Sequence, residues 1–140
     1  MTREEITAFF ARRQDAFARH DAAALAALHA EDCLYESPWV GRVNGRAAIE
    51  QVYRHLFAAF PDVAFEGEEL LIDGNRTAQV ATVVGTDMGG FMGLPPTGKP
   101  FRLPLVFLCT LNEHQIVHER TIYDFTGMLV QIGMLKAKPA

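Results

Sequence analysis

Residues 60–87 read Phe60-Pro61-Asp62-Val63-Ala64-Phe65-Glu66-Gly67-Glu68-Glu69-Leu70-Leu71-Ile72-Asp73-Gly74-Asn75-Arg76-Thr77-Ala78-Gln79-Val80-Ala81-Thr82-Val83-Val84-Gly85-Thr86-Asp87, and the chain changes periodicity at Pro61. Downstream, two apolar runs, Val63–Ile72 and Arg76–Asp87, flank the turn pair Asp73-Gly74 and read as a β-hairpin. Upstream, Ile49, Val52, Tyr53, Leu56, Phe57 and Phe60 recur at steps of three and four, which predicts a helix over 46–60 that Pro61 stops.

The same helical spacing extends back to the start of the chain. Thr2 and Glu5 form a capping box, and Ile6, Phe9, Phe10, Ala16 and Phe17 predict an amphipathic helix to about His20. Asp21 caps a second helix over 22–30 carrying Leu25 and Leu28. Cys33–Glu36 reads as a short strand ended by Pro38, followed by a loop in which Asn44 caps the next helix.

In the other direction, a loop over 88–100 rich in Gly and Pro precedes strands over 101–111 and 115–125 and a closing helix over 126–134. Helices first and hairpin-joined strands later predict an α+β domain, with a curved antiparallel sheet wrapped around N-terminal helices. Leu103-Pro104-Leu105-Val106-Phe107-Leu108-Cys109 is apolar at both alternating sets of positions, so both faces of that strand are expected to be covered. One face would meet the helices and the other a second copy of the chain, giving a homodimer through the sheet; a monomer with that face covered by loops is the alternative.

The 140 residues suit one domain spanning 1–140, and 49% hydrophobic residues with ten phenylalanines supply a largely aromatic core. A net charge of −4 gives no footprint for nucleic acid. No apolar run approaches membrane-span length, and the charged start Met1-Thr2-Arg3-Glu4-Glu5 is no signal peptide, so a cytoplasmic location is expected. Cys33 and Cys109 lack metal-ligand spacing and are expected as buried thiols. His20, His29, His55 and His114 lack it too, so no metal site is expected. Phosphate-loop, dinucleotide, serine-hydrolase and zincin motifs are absent, and no cofactor is expected.

Polar residues interrupt the apolar pattern mainly on the last strand, where alternation places Ile116, His118, Arg120, Ile122 and Asp124 on one side. A carboxylate between Tyr123 and Phe125 suits proton exchange with a substrate, and His118 is a second candidate base. Asp124 is equally placed to cap the closing helix or to pair with Arg120, and His118 to be a packed, hydrogen-bonded side chain. Tyr35, Trp39 and Tyr53, with Met92 and Arg120, are the candidate residues for binding a hydrophobic small molecule.

Several segments together resemble a known family: Glu31-Asp32-Cys33-Leu34-Tyr35-Glu36-Ser37-Pro38, Asn44-Gly45-Arg46-Ala47-Ala48-Ile49, Phe60-Pro61-Asp62-Val63, Gly93-Leu94-Pro95-Pro96-Thr97-Gly98-Lys99, Ile116-Val117-His118-Glu119, Tyr123-Asp124 and Gln131-Ile132-Gly133. Their order and spacing are similar to those of the SnoaL-like polyketide cyclases and ester cyclases, within the nuclear transport factor superfamily. The resemblance implies a cone-shaped barrel of curved sheet closed by helices, and dimers formed through the sheet. It also implies a cofactor-free intramolecular aldol condensation or isomerisation in which Asp124 is the general acid/base. Where the cyclases surround that aspartate with histidine and polar residues, the preceding strand here carries Phe107, Leu108, Cys109 and Thr110. A non-catalytic binding protein using the same cone is the alternative. An enzyme resembling ketosteroid isomerases or epoxide hydrolases is another, to be judged on Asp87, Arg102 and Arg120.

Overall fold

The computed structural model describes residues 1–136. Helix α1 (Arg3–Ala18) starts at the expected capping box: the Thr2 hydroxyl accepts from the Glu5 N–H at 3.1 Å and the Glu5 carboxylate from the Thr2 N–H at 2.9 Å. Helix α2 (Ala22–Ala27) is capped by Asp21 and is shorter than expected, because His29 already belongs to strand β1 (His29–Ser37). A second strand, β2 (Gly41–Asn44), pairs antiparallel with β1 where a loop was expected.

Helix α3 (Arg46–Ala59) therefore has Gly45 as its N-cap, with no side-chain cap bond. Asn44 is held in the β2 ladder opposite Leu34 and does not cap the helix as the sequence predicts. Gly45 has φ +93°, a region open to glycine, and its N–H donates to the Cys33 carbonyl at 2.8 Å.

Strands β3 (Ala64–Asp73), β4 (Arg76–Thr86), β5 (Pro100–Leu111) and β6 (Ile116–Ile122) follow, and α4 (Phe125–Gln131) closes the described chain. The hairpins fall where the turn residues place them. The six strands form one sheet in the order β2-β1-β6-β5-β4-β3. The sheet is curved and unclosed, with β2 and β3 as its edges, and it is mixed: β1 lies parallel to β6, while every other pair is antiparallel. The parallel pair arises because the chain crosses from β1 through α3 and the β3–β5 meander before returning as β6.

The core lies between the helices and the concave face of this sheet. Ile6, Phe9, Phe10 and Phe17 of α1 pack there with Ile49, Val52 and Tyr53 of α3, against Leu103, Leu105 and Phe107 of β5. Each large side chain buried in this way contributes about 1.5–3 kcal/mol. The opposite positions of β5 differ: Val106 and Leu108 are half-buried and Pro104 is exposed, so within one chain the outer face keeps an apolar stripe uncovered. Cys33 and Cys109 are buried and unpaired. Among the described residues, no helix is long and apolar enough to cross a membrane.

The loop between β4 and β5 is organised by Asp87, which is fully buried. Its carboxylate accepts from the N–H groups of Gly90 and Thr97 and from the Thr97 hydroxyl. This folds Phe91 inward against Phe60, Trp39 and Phe125. The loop also rests on α3, where the Gly89 N–H donates to the Ala59 carbonyl at 3.0 Å and a Cβ at Gly89 would collide with the Ala58 carbonyl oxygen. Gly89→Ala is expected to destabilise the protein by about 1–3 kcal/mol through this overpacking, read as a lowered thermal melting temperature with near-native circular dichroism.

Candidate functional site

The helices and the concave face of the sheet enclose a cavity of about 70 Å³. Sheet residues Val83, Phe101, Leu103, Leu105 and Phe107 form its floor, Phe17, Val52 and Leu56 its helical wall, and Trp39, Phe91 and Met128 close one end. Its polar lining consists of the hydroxyls of Tyr35, Ser37, Tyr53, Thr121 and Tyr123; the lining contains no carboxylate, no histidine and no cation. Burial raises the tyrosines, Tyr35 well above its ordinary value and Tyr123 to about 12, while Tyr53 is raised by burial and by the nearby Glu119 carboxylate. At neutral pH they are therefore uncharged hydrogen-bond donors. Half-buried Trp39, Leu56 and Tyr123 mark where the cavity approaches solvent.

Behind this cavity lies a buried polar cluster. Glu119 of β6 is fully buried, receiving Arg13 Nη2 of α1 at 3.2 Å and contacting His29 Nε2 at 2.9 Å. Burial alone would raise the Glu119 carboxyl, but the Arg13 charge and the His29 hydrogen bond outweigh it and hold the group at about 2. His29 Nδ1 meets the Leu25 carbonyl at 2.9 Å. A carbonyl and a carboxylate both only accept, so the imidazole satisfies both contacts at once only as a double donor. The Arg13 guanidinium stacks on the Phe107 ring at 4.3 Å, and its Nη2 also reaches the Tyr53 hydroxyl at 3.4 Å. The cluster thus joins α1, β1 and β6 and touches the cavity wall through Tyr53.

Of the residues expected to bind a ligand, Tyr35, Trp39 and Tyr53 line the cavity. Met92 does not: it is 55% exposed at the loop tip, with φ +54°. The alternation expected on the last strand holds from His118 onward, with the polar set on the outer face, whereas Ile116, expected on that side, is fully buried where the strand register is irregular. Glu119, Thr121 and Tyr123 point inward, whereas His118, Arg120 and Ile122 point outward. His118 Nε2 contacts Glu36 at 2.6 Å, and with Arg120 it borders an outer groove of about 420 Å³ that also includes Arg76, Leu71 and Leu108. Asp124 is exposed and caps α4, its carboxylate accepting from the Gly127 N–H at 2.8 Å; it adjoins the cavity residue Tyr123 in sequence but is not itself part of the lining. Asp87 holds the loop, and Arg102 is exposed on the outer face.

Arg13, His29 and Glu119 were not among the sequence candidates. A signal for Arg13 existed: Ile6, Phe9, Phe10, Arg13 and Phe17 form one unbroken helical stripe, so Arg13 is a cation at a core position. Among the described residues, no three His, Cys, Asp or Glu side chains gather as a metal-holding group.

The sequence profile described as SnoaL-like polyketide cyclase matches residues 8–132. The chain belongs to this family. Its fold is close to that of AclR, a hydroxylase candidate from Streptomyces galilaeus (25% identity, TM-score 0.84, covering 99% of this chain and 87% of AclR). IdmH, a polyketide cyclase candidate from Streptomyces antibioticus, matches at 27% identity and TM-score 0.76, over 91% of this chain and 97% of IdmH. TerC, solved with polyporic acid, shares the fold at 16% identity and TM-score 0.75, over 90% of this chain and 96% of TerC. No curated protein sequence matches the chain.

In this SnoaL-like protein the Glu119 carboxyl is depressed on folding, so its stabilisation is present above the ordinary value of 4.5 and is lost as pH falls toward about 2. Urea unfolding measured across that window is expected to show stability falling with pH. Glu119→Gln is expected to flatten this dependence and, by leaving Arg13 buried without its counter-charge, to cost about 3–5 kcal/mol at neutral pH.

Proposed function

We propose that the protein is a cofactor-free enzyme of the SnoaL type that binds a hydrophobic carbonyl compound inside the cone and cyclises or isomerises it. The observation that carries this reading is the aromatic cavity whose only polar lining is a set of uncharged hydroxyls, in a chain of this family. Such a lining favours a flat apolar ligand oriented by a few oxygen atoms. TerC, with the same fold, was solved with polyporic acid, and for this chain a hydrophobic ligand inside the cone is proposed.

In this proposal Asp124 supplies general acid/base chemistry from the rim. It follows the lining residue Tyr123 directly, and its backbone carbonyl accepts from the N–H of the lining residue Met128 at 3.0 Å. A substrate carbon beside a carbonyl, projecting past Tyr123, would meet the carboxylate there, while the dry aromatic interior fixes the rest of the molecule. His118, paired with Glu36 on the opposite face, has no part in this chemistry.

One observation favours a second reading, a binding protein without turnover: the cavity lining contains no acid or base. For the outer face we propose a second copy of the chain, because the stripe of Val80, Val106, Leu108 and Ile122 is flanked by the acidic segment Glu66–Glu69 of β3 on one side and by Arg120 of β6 on the other. A two-fold arrangement would bring these opposite charges together.

Trp39 is the only tryptophan and lines the cavity, so its fluorescence reports occupancy. A bicyclic ketone such as 1-tetralone is expected to change Trp39 emission saturably. In D2O, exchange of the ketone's α-protons is expected to be accelerated by the native protein and reduced about 10²-fold or more by Asp124→Asn. Unchanged exchange in that variant would remove Asp124 from the chemistry, and binding without any exchange would favour the second reading.

A further inference from the structure

Two hydroxyls in the cavity lining, those of Tyr53 and Thr121, have hydrogen-bonding capacity that the protein leaves unused. Tyr53 is 3% exposed, and its oxygen accepts from Arg13 Nη2. A guanidinium only donates, so this bond occupies the phenolic oxygen and leaves the phenolic proton unused; among the described residues Tyr53 donates to no acceptor. Thr121, 6% exposed and in the same lining, has a buried hydroxyl with no partner at full hydrogen-bond geometry, the Tyr35 phenol being its one weakly interacting neighbour. A buried hydroxyl left unsatisfied pays its desolvation cost with no bond in return. Leaving one facing an aromatic cavity is therefore unfavourable unless a ligand supplies the missing partner.

The surrounding charge selects the kind of partner. Arg13 is fixed in place by the Glu119 carboxylate and by stacking on Phe107, and it directs a positive charge at the back of the Tyr53 hydroxyl. His29 engages the other Glu119 oxygen, and among the described residues the Tyr53 hydroxyl makes no hydrogen bond to Glu119. A phenol whose oxygen accepts from a cation becomes a stronger donor, and burial keeps Tyr53 protonated. An acceptor oxygen carrying partial negative charge fits this arrangement; an ammonium or other donor-only group does not.

We propose that Tyr53, positioned by Arg13, and Thr121 form a hydrogen-bonding site for one carbonyl, enolate or phenolate oxygen of the ligand. The inference rests on the reading that the ligand occupies the cone, and it names an oxygen at the ligand's buried end, separate from the carbonyl whose α-carbon faces Asp124 at the rim. Tyr53 would touch that oxygen directly; Arg13, Glu119 and His29 act only through Tyr53.

The test compares 1-tetralone with its oxygen-free analogue tetralin, using Trp39 fluorescence for affinity and infrared spectroscopy for the bound carbonyl. The native protein is expected to bind the ketone more tightly than the hydrocarbon and to lower its carbonyl stretching frequency relative to hexane solution. Tyr53→Phe is expected to weaken ketone binding about threefold to tenfold, to leave tetralin binding unchanged, and to return the carbonyl frequency toward its hexane value. Thr121→Val provides a variant that does not threaten the fold: removing an orphaned hydroxyl for an apolar isostere is expected to keep or raise thermal stability while reducing the ketone preference. Equal affinity of the native protein for both compounds, or a ketone preference and carbonyl frequency unmoved by Tyr53→Phe, would overturn the inference and leave the cone reading standing. If neither compound bound, the cone reading would fall and the inference with it.

Discussion

The Glu119 carboxylate is the group on which the arrangement of helices against sheet depends. It sits in the middle of β6, fully buried, where an isolated charge would be too costly to keep. Arg13 from the middle of α1 neutralises it, and His29 from the start of β1 contacts its other oxygen at hydrogen-bond distance. Each partner is correct only if its own element is in register: a one-residue slip in β6 would turn Glu119 to the outer face, and a rotation of α1 would take Arg13 out of the apolar stripe. The charges thus specify how the N-terminal helices dock, while the phenylalanines supply most of the burial energy. Apolar contacts alone would tolerate several dockings; a buried ion pair tolerates few.

The same cluster separates two chemically distinct layers of the interior. Above it, toward the sheet's open end, the lining is aromatic and uncharged; below it, the charge is confined among Arg13, Glu119 and His29, with the Phe107 ring between guanidinium and cavity. A ligand in the cone therefore meets no formal charge, only hydroxyls whose orientation the charges behind them influence. On the proposed reading, that division would let an almost entirely apolar cavity discriminate among oxygenated ligands. It also explains why the burial-raised tyrosines suit the site: as neutral phenols they donate without adding a charge that a dry cavity would have to solvate.

The order of elements was legible in the sequence because periodicity and turn chemistry agree locally, as at Thr2 with Glu5, at Pro61 and at Asp73-Gly74. Tyr35, Trp39 and Tyr53 were legible as cavity-lining because large amphipathic rings on such elements have few other places to go. Non-local facts were not. That β1 pairs parallel with β6 depends on a crossover of nearly 80 residues, which no local pattern encodes. Alternation separated His118, Arg120 and Asp124 from Glu119, Thr121 and Tyr123, but period two does not say which set faces inward, and a buried Glu is too rare for burial statistics to choose it. Only its partner settles the matter, and Arg13 lies on another element more than 100 residues away, hidden as one cation within an otherwise apolar stripe.

β6 is thus a strand with two different polar faces, and the contrast between them follows from solvent. On the outer face His118 and Arg120 remain partly or fully exposed and pair, where they pair at all, with surface groups such as Glu36. Pairs of that kind contribute little to stability and are free to vary. On the inner face Glu119 has both oxygens engaged, whereas Thr121, two residues along, has none of its hydroxyl's bonds made. A fully satisfied charge next to an unsatisfied hydroxyl on one strand face fits the proposed site, with a rigid support beside a binding position: the first holds the wall still, and the second would serve what enters the cavity.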